Sequence, residues 1–277
     1  MTILVFTLIL LVGAYMAGFL GSLTGLGGGV IIIPLLTLVF HVDIRYAIGA
    51  ALLASIATSS GAASAYVKEG ITNIRLGMFL EIATTIGAVI GAFIAIYMPT
   101  NAIAVIFGMV LIFSAAMTVR KKHEAKLIKG SKLSEKLKLN STYPVNGEKV
   151  SYQLTNVAGG FSLMTLAGVL SGLLGIGSGS LKVLAMDSTM KIPFKVSTTT
   201  SNFMIGVTAA ASAVVYLQRG YMDPGIAFPV VLGVLAGALT GAKILPKINP
   251  KILRIIFAVA ITAVAIEMII NGINHKF

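Results

Sequence analysis

Apolar runs separated by short polar breaks recur along nearly the whole chain, and their order is the same twice over. A run from Thr2 to Leu23 meets a glycine cluster, Gly25-Leu26-Gly27-Gly28-Gly29, and a shorter apolar piece follows from Val30 to Phe40, interrupted by Pro34. Longer runs cover Tyr46 to Val67, Ile74 to Met98 and Asn101 to Val119. After a polar stretch the series restarts. Leu154 to Leu174 meets Gly175-Ile176-Gly177-Ser178-Gly179, a short piece runs from Ser180 to Met190, and long runs cover Lys195 to Leu217, Pro224 to Ile244 and Lys251 to Asn271. A helix needs about 20 apolar residues to cross the hydrocarbon of a bilayer, so the long runs predict spanning helices.

Comparing the chain with itself at a constant offset of 150 residues strengthens this reading. Ala17-Gly18 recurs as Ala167-Gly168, and Gly25, Gly27 and Gly29 recur as Gly175, Gly177 and Gly179. Thr58, Tyr66 and Gly70 recur as Thr208, Tyr216 and Gly220, while Gly87-Ala88 and Gly91-Ala92 recur as Gly237-Ala238 and Gly241-Ala242. Single glycine matches are common in membrane sequences; a gapless offset over some hundred residues is not. The organisation predicted is a first membrane repeat (1–119), a basic linker (120–153) and a second membrane repeat (154–277).

Composition rules out a water-soluble fold. The chain is 57% hydrophobic and 11% charged, against roughly 25% charged residues in soluble domains, and its mean hydropathy is +0.96. Without cysteine it has no disulfide or thiolate chemistry. The opening stretch lacks a basic n-region, which predicts a retained first helix rather than a cleaved signal. The net charge of +12 has a topological explanation, because nine of the 21 lysines and arginines lie between Arg120 and Gln153. A basic loop beside membrane spans marks the cytoplasmic face and contacts anionic lipid headgroups; nothing accompanies it that would read nucleic acid.

The glycine-broken pair decides the handedness of the duplication. If it crosses the membrane once, the repeats are parallel and 13 basic residues lie inside against 7 outside. If it is a hairpin, each repeat has an odd number of crossings, the repeats are inverted, and 17 lie inside against 3 outside, with Lys182 within the membrane. The positive-inside rule favours the hairpin. The predicted fold is therefore an all-α integral membrane protein of two inverted-topology repeats of about five helical segments each, the linker cytoplasmic and both termini outside, in the inner or plasma membrane of a prokaryote.

A return arm of 11 to 13 residues reaches only about 16 to 20 Å as a helix, so each glycine tip is expected to stop inside the bilayer. Irregular backbone at that depth belongs in protein or along a wet path, and matched glycine-interrupted segments in two halves are the sequence signature of a transporter's binding site. Amides of Gly25, Gly27, Gly28, Gly29, Gly175, Gly177 and Gly179, with the positive end of each short helix, suit a small anion. Thr24, Ser178 and Ser180 are expected to add hydroxyl donors and Lys182 a positive charge. The competing reading is that the glycines only permit tight turns and close helix contacts. The spacing fits neither a Walker loop nor a dinucleotide fingerprint.

The motif Gly25 to Gly29 after a first span, its echo at Gly175 to Gly179, the Tyr66-to-Gly70 turn and the basic central loop resemble the TauE/SafE sulfite-exporter family, the TSUP anion permeases. The resemblance covers nearly the whole chain and is weakest in the linker. It implies transport of a small sulfur-containing anion such as sulfite, thiosulfate or sulfoacetate; the mechanism expected from two opposed glycine tips is alternating access. An anion channel, or a transporter of a non-sulfur carboxylate, is the alternative.

Other polar residues in the spans are weighed individually. Lys182 is read as touching the substrate or, alternatively, as snorkelling or pairing with Asp187. Thr198, Ser201 and Asn202 share a helix face expected to line the anion path, with Ser55, Thr58 and Ser59 as the weaker counterpart. Glu81, whose counterpart in the second repeat is Val231, is a proton-coupling candidate, or an interfacial carboxylate held by Arg75 or Lys68. His41, His123 and His275 form no metal-ligand pair, and no cofactor, metal or enzymatic chemistry is expected. The expected partners are the anion and membrane lipid, with homo-oligomers left open.

Overall fold

A computed structural model describes residues 3–24, 28–68, 70–119, 130–145, 148–244 and 250–277, nearly all of them helical. The ten expected segments are present. In the first repeat they are α1 (Ile3–Thr24), α2 (Gly29–Pro34) prolonged by a π-helical turn (Leu35–Val39), α3 (Ile44–Lys68), α4 (Ile74–Tyr97) and α5 (Thr100–Val119). The linker holds α6 (Lys132–Lys136) and the antiparallel pair β1 (Ser141–Val145) and β2 (Glu148–Tyr152). The second repeat follows as α7 (Val157–Leu174), α8 (Gly179–Leu184) with its π-helical turn (Ala185–Thr189), α9 (Phe194–Gln218), α10 (Pro224–Ile244) and α11 (Pro250–Ile273). Six helices among the described residues are long and apolar enough to cross a membrane.

The repeats are inverted, and contacts at the two ends of the bundle show it. At one end the Thr155 amide donates to the Met190 carbonyl at 3.1 Å, so the chain enters α7 and leaves the second short arm on the same face. The linker lies on that face too, because the Asn73 amide at the start of α4 donates to the Leu139 carbonyl (3.0 Å) and the Tyr152 hydroxyl (2.8 Å). At the other end the Phe6 and Phe40 rings meet edge to face, so α1 and the first short arm also start and finish together, but on the opposite face. Arg45 reaches the Met98 carbonyl there, and Thr100 reaches the carbonyl of Phe277. Each glycine-broken pair is thus a hairpin. Its return arm of helix and π turn, Gly29–Val39 in the first repeat, covers about 16 Å, roughly half the bilayer core. Pro34 does not cause the π turn: Leu184 stands at the equivalent position and the turn is there as well.

The duplicated glycines now acquire a job. Helix α1 packs along α10 and α7 along α4, so each repeat's opening helix lies on the other's fourth. A Cβ on Gly18 would run into the Val234 carbonyl oxygen, and one on its equivalent Gly168 into that of Thr84. Gly87 meets Thr165 and Gly237 meets Tyr15 in the same way. Lipid supplies no hydrophobic force between helices, so backbones at van der Waals distance are what hold these crossings. Helices α3 and α9 cross at the centre, and α5 lies against α11.

Part of the linker folds over one end. Tyr152 is buried beneath it, and that burial, offset in part by the Asn73 hydrogen bond, pushes its phenol up to about 12, so it stays uncharged at physiological pH.

Candidate functional site

The second glycine elbow is built from left-handed backbone. Gly175 ends α7 at φ 68° with its amide donating to the Ser171 carbonyl at 2.8 Å; Gly177 repeats that φ, and Ser178 follows at φ 48° to start α8. A side chain at Gly177 would be strained by its φ and would press on Ile205 at 2.8 Å. Ser178 accepts such a conformation without glycine's freedom, which costs of order 1–3 kcal/mol and is typical of functional sites. Its hydroxyl is buried without a hydrogen-bond partner.

The start of the first short arm meets the second elbow. A Cβ on Gly29 would stand 2.9 Å from the Gly175 carbonyl oxygen and 2.8 Å from the Ser55 hydroxyl, so the start of one short helix abuts the turn of the other. Gly28 lies against Thr58 and Val234. Gly25, Gly27 and the side chain of Thr24 lie outside the described residues. The hydroxyls of Ser55 and Ser171, close by, are likewise buried without partners.

Beside the elbows runs a line of charge. Lys182, fully buried on α8, donates from Nζ to the Thr208 hydroxyl of α9 at 2.5 Å, and that hydroxyl donates onward to Glu81 Oε1 of α4 at 2.6 Å. A threonine can accept and donate at once, so it joins ammonium to carboxylate without direct contact. Thr85 also reaches Oε1, at 3.3 Å, whereas Oε2 is buried with no partner among the described residues. Burying two charges is expensive unless they answer one another, and these do so through the shared hydroxyl of Thr208.

This arrangement bears on the readings of both residues. Lys182 is bound to the Thr208 and Glu81 line, and Glu81 is a buried residue, 8% exposed, rather than an interfacial one. Of its two expected partners, Arg75 donates instead to the Lys138 carbonyl at 3.3 Å, and the side chain of Lys68 lies outside the described residues. The reason is depth: α4 begins at Asn73 beneath the linker, so two turns on Glu81 has passed into the bundle.

The α9 face divides. The Ser201 hydroxyl donates to the Gly179 carbonyl at 3.2 Å and so touches the elbow. Asn202 is buried and its carbonyl accepts from Ser59, whose hydroxyl also accepts from the Gly206 amide, tying α3 to α9. Thr198 bonds back to Phe194 of its own helix. Ser180 turns to Ser114 on α5 at 2.8 Å. Sequence reasoning used Thr208 only as a repeat match and passed over Thr85 and Ser171. The signal available for the charge line was asymmetry: Lys182, Glu81 and Thr84 stand where the other repeat has Ile32, Val231 and Val234.

Known proteins similar to this chain are membrane transporters by name. A family model described as sulfite exporter TauE/SafE matches residues 9–268. The chain is 31% identical over 232 residues to the probable membrane transporter protein YunE of Bacillus subtilis (strain 168), covering 81% of this chain and 83% of that protein. It is 27% identical over 221 residues to the probable membrane transporter protein YdhB of the same organism, covering 80% and 83%. With the probable membrane transporter protein MJ0441 of Methanocaldococcus jannaschii it shares 26% over 229 residues, covering 79% and 76%. No solved structure matches.

Proposed function

The chain belongs to the sulfite exporter TauE/SafE family of membrane transporters, and from that premise we propose that it is a secondary transporter for a small anion, held where the two glycine elbows meet. The observation that carries the proposal is Lys182: a fully buried ammonium with three donors, one of them given to Thr208 among the described residues, on the short helix that starts at the second elbow. The unpartnered hydroxyls of Ser178, Ser55 and Ser171 and the amides of the elbows add neutral donors suited to an oxyanion. The substrate class we propose is a sulfur oxyanion or organosulfonate, such as sulfite, thiosulfate or sulfoacetate. In this reading the anion is released alternately to the two faces as one set of helices rocks against the other about the α3 and α9 crossing. The membrane is the inner or plasma membrane of a prokaryote, with the basic linker face in the cytoplasm.

Lys182→Ala and Gly177→Val, reconstituted in liposomes, are expected to lose at least 100-fold of labelled-anion exchange for whichever of the three anions the native protein moves, while eluting as folded protein. Native-like exchange in both variants would overturn the site.

A further inference from the structure

We infer that the anion binds together with a proton, which Glu81 receives when the anion takes its place as counter-ion to Lys182. This rests on the anion site proposed above and adds its coupling. The geometry supplies the argument. Lys182 and Glu81 are joined by the single hydroxyl of Thr208, and Glu81 Oε2 is buried with no partner among the described residues.

An anion arriving at Lys182 Nζ competes for the charge that balances Glu81. With the ammonium engaged, an ionised Glu81 would be a buried carboxylate beside a bound anion, two negative charges against one positive. Such a group takes a proton instead of remaining charged. The balance is simple: Lys182 stays an ammonium, the anion binds as X⁻, and one proton from water converts the Glu81 carboxylate to the acid. The Thr208 hydroxyl, freed from donating to the carboxylate, can accept from the new acid. A monovalent anion therefore loads with no net change in buried charge, and a divalent one carries a single charge inward.

The neighbours leave Glu81 alone in this role. On α4, Arg75 is occupied at the linker carbonyl of Lys138. Helix α7 contributes no titratable side chain. On α9, Lys195 is exposed at one end and Tyr216 is bonded to the Gly172 and Leu173 carbonyls. The short arm of α8 brings Lys182 and, beyond it, the half-buried Asp187. Among the described residues Glu81 is the buried carboxylate.

The test counts protons on binding. Thiosulfate and sulfoacetate, which stay fully ionised near neutral pH, are added in turn to purified protein in weak buffer with a pH indicator, and binding is followed by thermal shift. The native protein is expected to take up about one proton per anion bound, its affinity rising up to about tenfold for each unit the pH falls above the carboxyl's titration. Difference infrared spectra should show a carboxylic-acid stretch appearing on binding. Glu81→Gln should bind with no proton uptake, no new acid band and pH-independent affinity. Binding without proton uptake in the native protein, or native-like uptake in Glu81→Gln, would overturn the inference while leaving the anion site standing. Should the variant fail to fold, the native proton count and infrared band decide alone. If neither anion binds native protein, the site itself falls and the inference with it.

Discussion

The two repeats share a scaffold and differ in chemistry. At equivalent positions the second repeat has Lys182 and Thr208 facing Glu81 and Thr84 of the first, whereas the counterpart set is Ile32, Thr58, Val231 and Val234. Both hydroxyls lie within reach of the carbonyl four residues back, Thr58 of Ala54 at 2.7 Å and Thr208 of Met204 at 3.0 Å, but Thr208 also stands between two charges. The helix crossings show no such difference, since Gly18 and Gly168 meet equivalent carbonyls. Duplication has therefore kept the frame in two copies and the buried charges in one.

Making the polar half resemble the apolar half should give the largest effect. Glu81→Val alone strands the Lys182 ammonium and is expected to cost about 3–5 kcal/mol in detergent unfolding, while Glu81→Val with Lys182→Ile should recover most of that and remain inactive. Equal losses in single and double variants would mean the charges do not answer one another. The shared frame offers the next test. Gly18→Ala and Gly168→Ala should each destabilise by about 1–3 kcal/mol through overpacked crossings, and by amounts that agree within about half a kcal/mol if the crossings are equivalent. The smallest effect distinguishes two helix starts. Asn73 caps α4 by accepting from Leu76, and Asp223 caps α10 by accepting from Gly225 and Ile226. Only Asn73 is buried and also bonded to the linker. Asn73→Ala should therefore cost about 1 kcal/mol more than Asp223→Ala by the same unfolding measurement.

Much of the fold was legible because bilayer thickness and the 150-residue offset constrain the helices strongly; α4 and α10 begin where the apolar runs do. The hairpin nature of the glycine pairs followed from counting lysines and arginines. The strands of the linker did not, although Asn146-Gly147 between two alternating runs is a recognised hairpin signal. The elbow serines were named from their sequence neighbourhood. The charge line was harder, since Glu81 and Thr208 lie 127 residues apart and only tertiary structure joins them. The interfacial reading of Glu81, one of two, counted depth from the start of its apolar run, while the linker covers that start.

The exchange of opening helices between repeats also bears on how the protein is made. Helix α1 leaves the ribosome some 200 residues before α10, the surface that its glycines fit. Until then its small-residue face has only lipid or the insertion machinery beside it. Neither repeat can complete itself during synthesis, so truncated chains ending before α10 should be recognised as orphans and degraded, and maturation is a late event of the whole polypeptide.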